Sequence, residues 1–243
     1  MNRRSRHLLV LACVVVGLVG CGKAQTPAPS SPTAEQRQED STTSAAPTDA
    51  VRYLALGDSL SQGVGAPDEQ TGAFPARLAE QWRGAGCEVE LQNAGISGYT
   101  AEQVLTDEVP QIEEFEPTLI TFQAGANDIV NEVTVDDYRK NVKAVLEAAT
   151  GSGAHVIVLA QNEWFRSPEG QTYGEDLAAQ REAFDNVMIE EADAAGAEFV
   201  DMRGLYTQQA DDNQWVEDGI HPTPEAYEAW AAELSGAIPV PCQ

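Results

Sequence analysis

The chain has 243 residues, of which 42% are hydrophobic and 22% charged, enough apolar content for a real core and too much for wholesale disorder. It carries 14 Lys and Arg against 39 Asp and Glu, a formal charge of −25. Such a surface repels phosphate backbones and excludes a nucleic-acid partner, and no apolar run reaches the roughly 18 residues that a spanning helix needs.

The first element is an export signal. Arg3, Arg4 and Arg6 precede an apolar run from Leu8 to Gly20, the pattern of residues 1–20 acting as a signal peptide. Leu18-Val19-Gly20-Cys21 looks like a bacterial lipobox, which makes Cys21 the lipidated first residue of the mature protein. Lipid chains on that terminus attach a protein to the membrane without spanning it. Cleavage removes three Arg and no acid, so the mature charge is −28. A charge of that size suits a soluble extracytoplasmic surface, and equally one adapted to high salt, which screens self-repulsion. From Cys21 to residue 50 the chain is rich in Pro, Ser, Thr, Ala and Gln. This composition cannot offset chain entropy by burial and reads as a disordered linker, with a mean reach of about 30 Å.

From residue 51 short apolar runs alternate with helical patterns. Strands are predicted at Val51–Leu56, Glu88–Gln92, Thr118–Gln123, His155–Ala160 and Ala197–Asp201. Helices are predicted at Phe74–Ala85, Thr100–Phe115 with a break at Pro110, Val135–Ala149, Glu175–Ala195 and Pro224–Ile238. Thr134 and Thr223 stand where N-caps belong, with Pro224 at the first helical position. This alternation predicts one α/β domain over 51–243, with a mostly parallel sheet covered on both faces. Reactive groups then gather beyond the carboxyl ends of the strands.

Of four Cys, Cys13 leaves with the signal and Cys21 takes the lipid. Cys87 and Cys242 remain, and outside the cytoplasm two remaining Cys suggest a disulfide. Of three His, His7 is in the signal and His155 opens a strand, which leaves His221 in a loop. Neither mature His has a ligand-spaced partner, so no metal site is expected.

Four loops carry the chemistry. Gly57-Asp58-Ser59-Leu60 follows the first strand and exposes a hydroxyl at a sharp strand-to-helix turn. Asn93-Ala94-Gly95-Ile96-Ser97-Gly98 follows the second, and a Gly there lets backbone approach a ligand closely. Gly125-Ala126-Asn127-Asp128 follows the third and can aim an amide into a cleft. Asp218-Gly219-Ile220-His221 precedes the last helix, where a carboxylate can fix an imidazole tautomer through Nδ1. In isolation each block also fits an ordinary turn.

Together, in this order, the four blocks resemble the SGNH hydrolases, also called GDSL esterases and lipases, over roughly residues 51–238. The resemblance implies a flavodoxin-like three-layer sandwich with a five-stranded parallel sheet of order 2-1-3-4-5. It implies a serine esterase with Ser59 as nucleophile, His221 as base and Asp218 as its orienter. The oxyanion hole it implies comes from the Ser59 N–H, the Gly95 N–H and the Asn127 side chain, with Asp58 and Asp128 in support. No metal or organic cofactor is implied. In that strand order the first and last helices share a face, so Cys87 and Cys242, which follow them, can meet.

Trp164, Phe165 and Tyr173 follow the fourth strand, and Trp215 lies three residues before Asp218. All four are candidate rim residues for the substrate. Short loops without an apolar cover favour short acyl groups, acetylated glycans or lysophospholipid-like esters over triglycerides. A monomer is expected. Two other readings share the scaffold: an inactive surface binding lipoprotein, and an acyltransferase using the same three residues.

Overall fold

The structure is a computed structural model and describes residues 50–242. The expected signal peptide, Cys21 and all but the last residue of the linker lie outside the described residues.

Five parallel strands form the sheet: β1 (Val51–Gly57), β2 (Val89–Asn93), β3 (Leu119–Gln123), β4 (His155–Leu159) and β5 (Glu198–Val200). Their order is β2-β1-β3-β4-β5, the flavodoxin-like arrangement. Register pairs Ala55 with Asn93 on one side of β1 and Gly57 with Gln123 on the other. The order reverses at β1, so the crevice of the switch point opens beyond the carboxyl ends of β1 and β3.

Among the described residues ten α-helices accompany the strands. They are α1 (Ser59–Gln62), α2 (Glu69–Gly72), α3 (Phe74–Gly84), α4 (Ala101–Gln103), α5 (Gln111–Phe115), α6 (Ala126–Val130), α7 (Val135–Gly151), α8 (Leu177–Ala195), α9 (Arg203–Asp211) and α10 (Pro224–Ala237). A π-helical turn, Val104–Glu108, joins α4 to the Pro110 corner before α5. Thr134 and Thr223 cap α7 and α10 by accepting the Asp137 and Ala226 N–H groups.

Alternate strand residues feed two cores. Leu54, Leu56, Ile120, Phe122, Val156 and Val158 face one layer, where Tyr138, Val142, Val145 and Leu146 of α7 and Phe184 of α8 close over them. Tyr53, Ala55, Leu119, Ile157 and Leu159 face the other, under Leu78 and Trp82 of α3, Tyr206 of α9 and Trp230 of α10. Strands buried on both faces must be apolar at nearly every position, which is why they read as continuous runs. Beyond these helices the chain joins Cys87 to Cys242 in a disulfide with a Cα–Cα distance of 5.6 Å. Cys87 stands just before β2 and Cys242 just after α10, and α3 packs against α10.

Candidate active site

β1 ends in a turn that only glycine can make. Gly57 has φ +149°, and a Cβ there would lie 2.4 Å from the Gln123 carbonyl oxygen and 2.5 Å from Ser61 Oγ. The next residue, Asp58, caps α1 by accepting the Leu60 N–H at 3.0 Å. Ser59 is therefore the first residue of α1, above the sheet with its own N–H free of the helix ladder. Burial drives the Asp58 carboxyl up to about 7, against the Leu60 N–H and the Gln123 amide, and the charge of Asp128 adds to the rise.

The Asp218–His221 loop closes on itself. Asp218 Oδ1 accepts the N–H groups of Ile220 at 2.9 Å and His221 at 3.0 Å. Its Oδ2 lies 2.6 Å from His221 Nδ1. Burial raises the Asp218 pKa, but the two N–H groups and the His221 ring outweigh it, and the carboxyl stays below its ordinary value. A Trp215–Pro222 bridge and the Val216 N–H on the His221 carbonyl hold the loop as a small hairpin. Its exit is clamped where Tyr227 of α10 donates to the Val64 carbonyl at 2.8 Å.

Asn127 stands in the first turn of α6 and donates through Nδ2 to the Tyr99 carbonyl at 2.9 Å. One amide hydrogen is fixed there and the other remains for the cleft. Asp128 is buried and accepts the Ala101 N–H through both oxygens, at 3.0 and 3.2 Å. It thereby anchors α4, which follows the Gly95–Gly98 loop, and burial lifts its carboxyl to about 6.

Ser59, Asn127 and His221 line one cleft of about 150 Å³, together with Asp58, Gly98, Asn162, Trp164 and Tyr173. Gly95 does not line this cleft. The Gly95 N–H is engaged by Asn93 Oδ1 at 3.2 Å, and its Cα packs on α1, where a Cβ would meet the Gln62 nitrogen at 2.7 Å. Gly95 is a close-packing glycine, and the glycine on the cleft wall is Gly98. Among the described residues the Ser59 and Gly98 N–H groups have no protein acceptor.

The expected rim divides. Trp164 is buried on the cleft wall, its Nε1–H on Gln161 Oε1 at 3.1 Å, and Tyr173 flanks it 45% exposed. Phe165 packs against the α7–α8 core, and Trp215 braces the histidine hairpin, so neither lines the cleft.

Two residues at this end of the sheet were not anticipated. Asn162, just past β4, is 1% exposed on the cleft wall with no partner for either amide atom among the described residues. Glu108 is fully buried behind the nucleophile turn. Its sequence signal is an acid at the centre of the stripe Val104-Glu108-Ile112, where helical spacing calls for an apolar residue. Among the described residues no three His, Cys, Asp or Glu side chains gather as a metal ion would require.

A five-stranded 2-1-3-4-5 sheet with a Gly-Asp-Ser turn and an Asp–His loop over one cleft defines a hydrolase of the SGNH class. The chain belongs to the GDSL-like lipase/acylhydrolase family, whose model matches residues 55–229, and is a carboxylic ester hydrolase of that family. An arylesterase of Vibrio mimicus is 27% identical over 194 residues, 79% of this chain and 89% of that protein. Thioesterase 1/protease 1/lysophospholipase L1 of Escherichia coli K12 is 26% identical over 176 residues, 71% of this chain and 76% of that one. The crystal structure of TesA superposes with a TM-score of 0.63 at 25% identity, covering 75% of this chain and 94% of the other.

Proposed function

We propose that Ser59 attacks the substrate carbonyl while His221 Nε2 accepts its proton. Asp218 on Nδ1 fixes the tautomer that leaves Nε2 free and stabilises the imidazolium as it forms. The tetrahedral oxyanion sits among three donors: the Ser59 N–H, the Gly98 N–H and the free Asn127 amide hydrogen. Each such donor contributes roughly 3 kcal/mol. Collapse breaks the ester C–O bond, and the alcohol leaves with the proton from His221. Water then attacks the acyl-Ser59 ester, His221 again takes and returns the proton, and the acid departs. The observation that carries this reading is the 2.6 Å pairing of Asp218 with His221 Nδ1 in a loop whose imidazole shares a cleft with Ser59.

The substrates this cleft fits best are esters of short acyl groups on uncharged alcohols, acetylated sugars among them. Its volume is small, Trp164 and Tyr173 offer aromatic faces, and among the described residues its wall holds no Lys or Arg to reward a phosphate. We place the enzyme outside the cytoplasm, held at the membrane by lipidated Cys21. The Leu18–Cys21 motif supports this, as does a disulfide of the kind that oxidising compartments preserve. Labelling with radioactive palmitate that vanishes in Cys21→Ala tests the anchor.

The activity test is hydrolysis of p-nitrophenyl esters from acetate to palmitate, with Ser59→Ala alongside. Expected is a short-chain optimum and a loss of at least about 10³-fold in the variant, the scale on which nucleophile removal acts. A wild-type protein that neither cleaves these esters nor reacts with a fluorophosphonate would overturn the assignment of Ser59.

A further inference from the structure

Of three buried acids at the reactive end of the sheet, Asp58 caps α1 and Asp128 anchors α4, and Glu108 is the third. Glu108 closes the π-helical turn Val104–Glu108, and its Oε2 accepts the Gly57 N–H at 2.8 Å. Such turns insert one residue into a helix and re-aim the side chains that follow. Gly57 is two residues before Ser59.

The sheet explains why this N–H needs an outside acceptor. Along the β1–β2 ladder the Ala94 N–H donates to the Ala55 carbonyl at 2.9 Å, and the Ile96 N–H to the Gly57 carbonyl at 3.2 Å. Continued in the same register, a parallel ladder would offer the Ala94 carbonyl to the Gly57 N–H. β2 ends at Asn93, and the Glu108 carboxyl takes that place. Gly57 is thus held on the same edge by two groups. Its N–H is gripped by Glu108, and its C=O by the Ile96–Gly98 loop. The Ser59 N–H lies on one side of this junction and the Gly98 N–H on the other.

The second Glu108 oxygen has no partner among the described residues, and neither does Oε1 of Gln123, the residue in register with Gly57 on β3. A buried polar atom left unpaired is destabilising, so an apolar residue would serve packing alone better. Burial, with Asp58 and Asp107 nearby, raises the carboxyl to about 8, and near neutral pH it is a neutral acid.

We propose that Glu108 is a positioning residue that sets the separation of the Ser59 and Gly98 N–H groups, and so aligns the oxyanion hole. The role rests on the reading of Ser59 as nucleophile, and acts through hydrogen-bond reach, without charge.

Three variants test it in full-length protein by p-nitrophenyl butyrate kinetics, fluorophosphonate labelling and thermal melting. Glu108→Gln keeps the reach and the acceptor, and is expected to stay within about threefold of wild type in kcat. Glu108→Leu removes the acceptor, and is expected to lower kcat and the labelling rate by about 10- to 100-fold, approaching the effect of losing one oxyanion donor. KM should move less than about threefold, because ground-state binding does not use this alignment. Glu108→Asp keeps the carboxyl group and loses the reach, and should follow Leu; it carries the test if Leu does not fold. Folded Glu108→Leu or Glu108→Asp with wild-type kcat, or Glu108→Gln as impaired as either, would overturn the proposal. If wild type itself neither cleaves nor labels, the nucleophile assignment has failed, an outcome separate from any ranking of the Glu108 variants.

Discussion

At the scale of single residues the cleft wall holds a local cost at Asn162. An amide buried to 1% exposure with both polar atoms unpaired is destabilising by about 1–3 kcal/mol. Replacing both unpaired atoms with carbon removes that penalty. Asn162→Leu should therefore melt higher than wild type, by a few degrees. If the amide exists to meet a hydrogen-bonding group of the substrate, the same variant should lose kcat/KM on an acetylated sugar while keeping it on p-nitrophenyl acetate. Calorimetry and parallel kinetics check both, and a lower melting temperature or equal losses on the two esters would contradict this account. The sequence marks residues less evenly than it marks loops. The sequence places Ser59, Asn127 and His221 in separate loops at the reactive end, and the fold brings them to one cleft. Gly95 and Gly98 share one loop three residues apart, and which faces the cleft depends on tertiary contacts: Asn93 on the Ser61 carbonyl at 2.6 Å, and Gly95 against α1. Glu108 was passed over because a lone acid in a helical pattern reads as a solvated face unless its place within the apolar stripe Val104-Glu108-Ile112 is weighed.

At the scale of elements, the central strands β1, β3 and β4 were legible because double-sided burial leaves them almost no polar positions, the edge strands β2 and β5 by their place in the strand–helix alternation, and α7 because Thr134, Asp136 and Asp137 mark its start. The helix α9 was not. Within Arg203–Asp211 only Tyr206 and Gln209 are buried, and the N-cap position is Met202, which cannot cap, the Arg203 N–H going instead to Asp201 Oδ1 at 3.1 Å, so neither period nor N-cap residue announces it. It forms because Tyr206 stacks edge-on against Trp230 of α10, centroids 4.7 Å apart. The short α1 and α6 depend in the same way on strand ends and a glycine, with Gly125 at φ +131° before α6. The disulfide is the element-scale device with the largest expected effect. It ties chain ends 155 residues apart, a loop for which cross-linking stabilises by roughly 4–5 kcal/mol in the chain-entropy account. Cys87→Ser with Cys242→Ser should lower the melting temperature by at least about 5 °C. Its kcat at 25 °C should match wild type, because neither cysteine lines the cleft. Scanning calorimetry with and without reductant measures this, and a double variant that melts with wild type would show that α3–α10 packing alone secures the tail.

At the scale of the whole molecule, buried acids and surface charge act in one direction. Burial raises Asp58 to about 7, Glu108 to about 8 and Asp128 to about 6. Asp185 also rises to about 6, because burial outweighs the Arg181 guanidinium 2.9 Å away. In the unfolded chain these groups ionise near their ordinary values of about 4. Their folded forms hold the proton more tightly, so their contribution to stability is complete below about pH 4 and drains away as pH rises to about 8. Asp201, drawn down to about 2 by Arg203, and Asp218, held low by the His221 loop, act in the opposite sense. Their contribution is present above about pH 4 and is lost in acid. The formal charge of −25 is a third factor, since ionising further acids on so negative a surface adds self-repulsion. The sum places maximal stability near pH 4, with a decline from about pH 4 to 8 that is steepest where all four raised carboxyls still hold their protons. Salt should separate the two alkaline causes. Surface repulsion is screened within about 10 Å at 0.1 M salt, whereas the buried carboxyls are screened far less. Melting temperatures from pH 4 to 9, at low salt and at 1 M sodium chloride, are therefore expected to rise with salt at pH 9 while the downward slope between pH 6 and 8 persists. Glu108→Gln, which cannot ionise, should flatten the upper part of that slope. A slope that salt abolishes would assign the decline to the surface alone, and one that steepens in Glu108→Gln would contradict the burial of its proton.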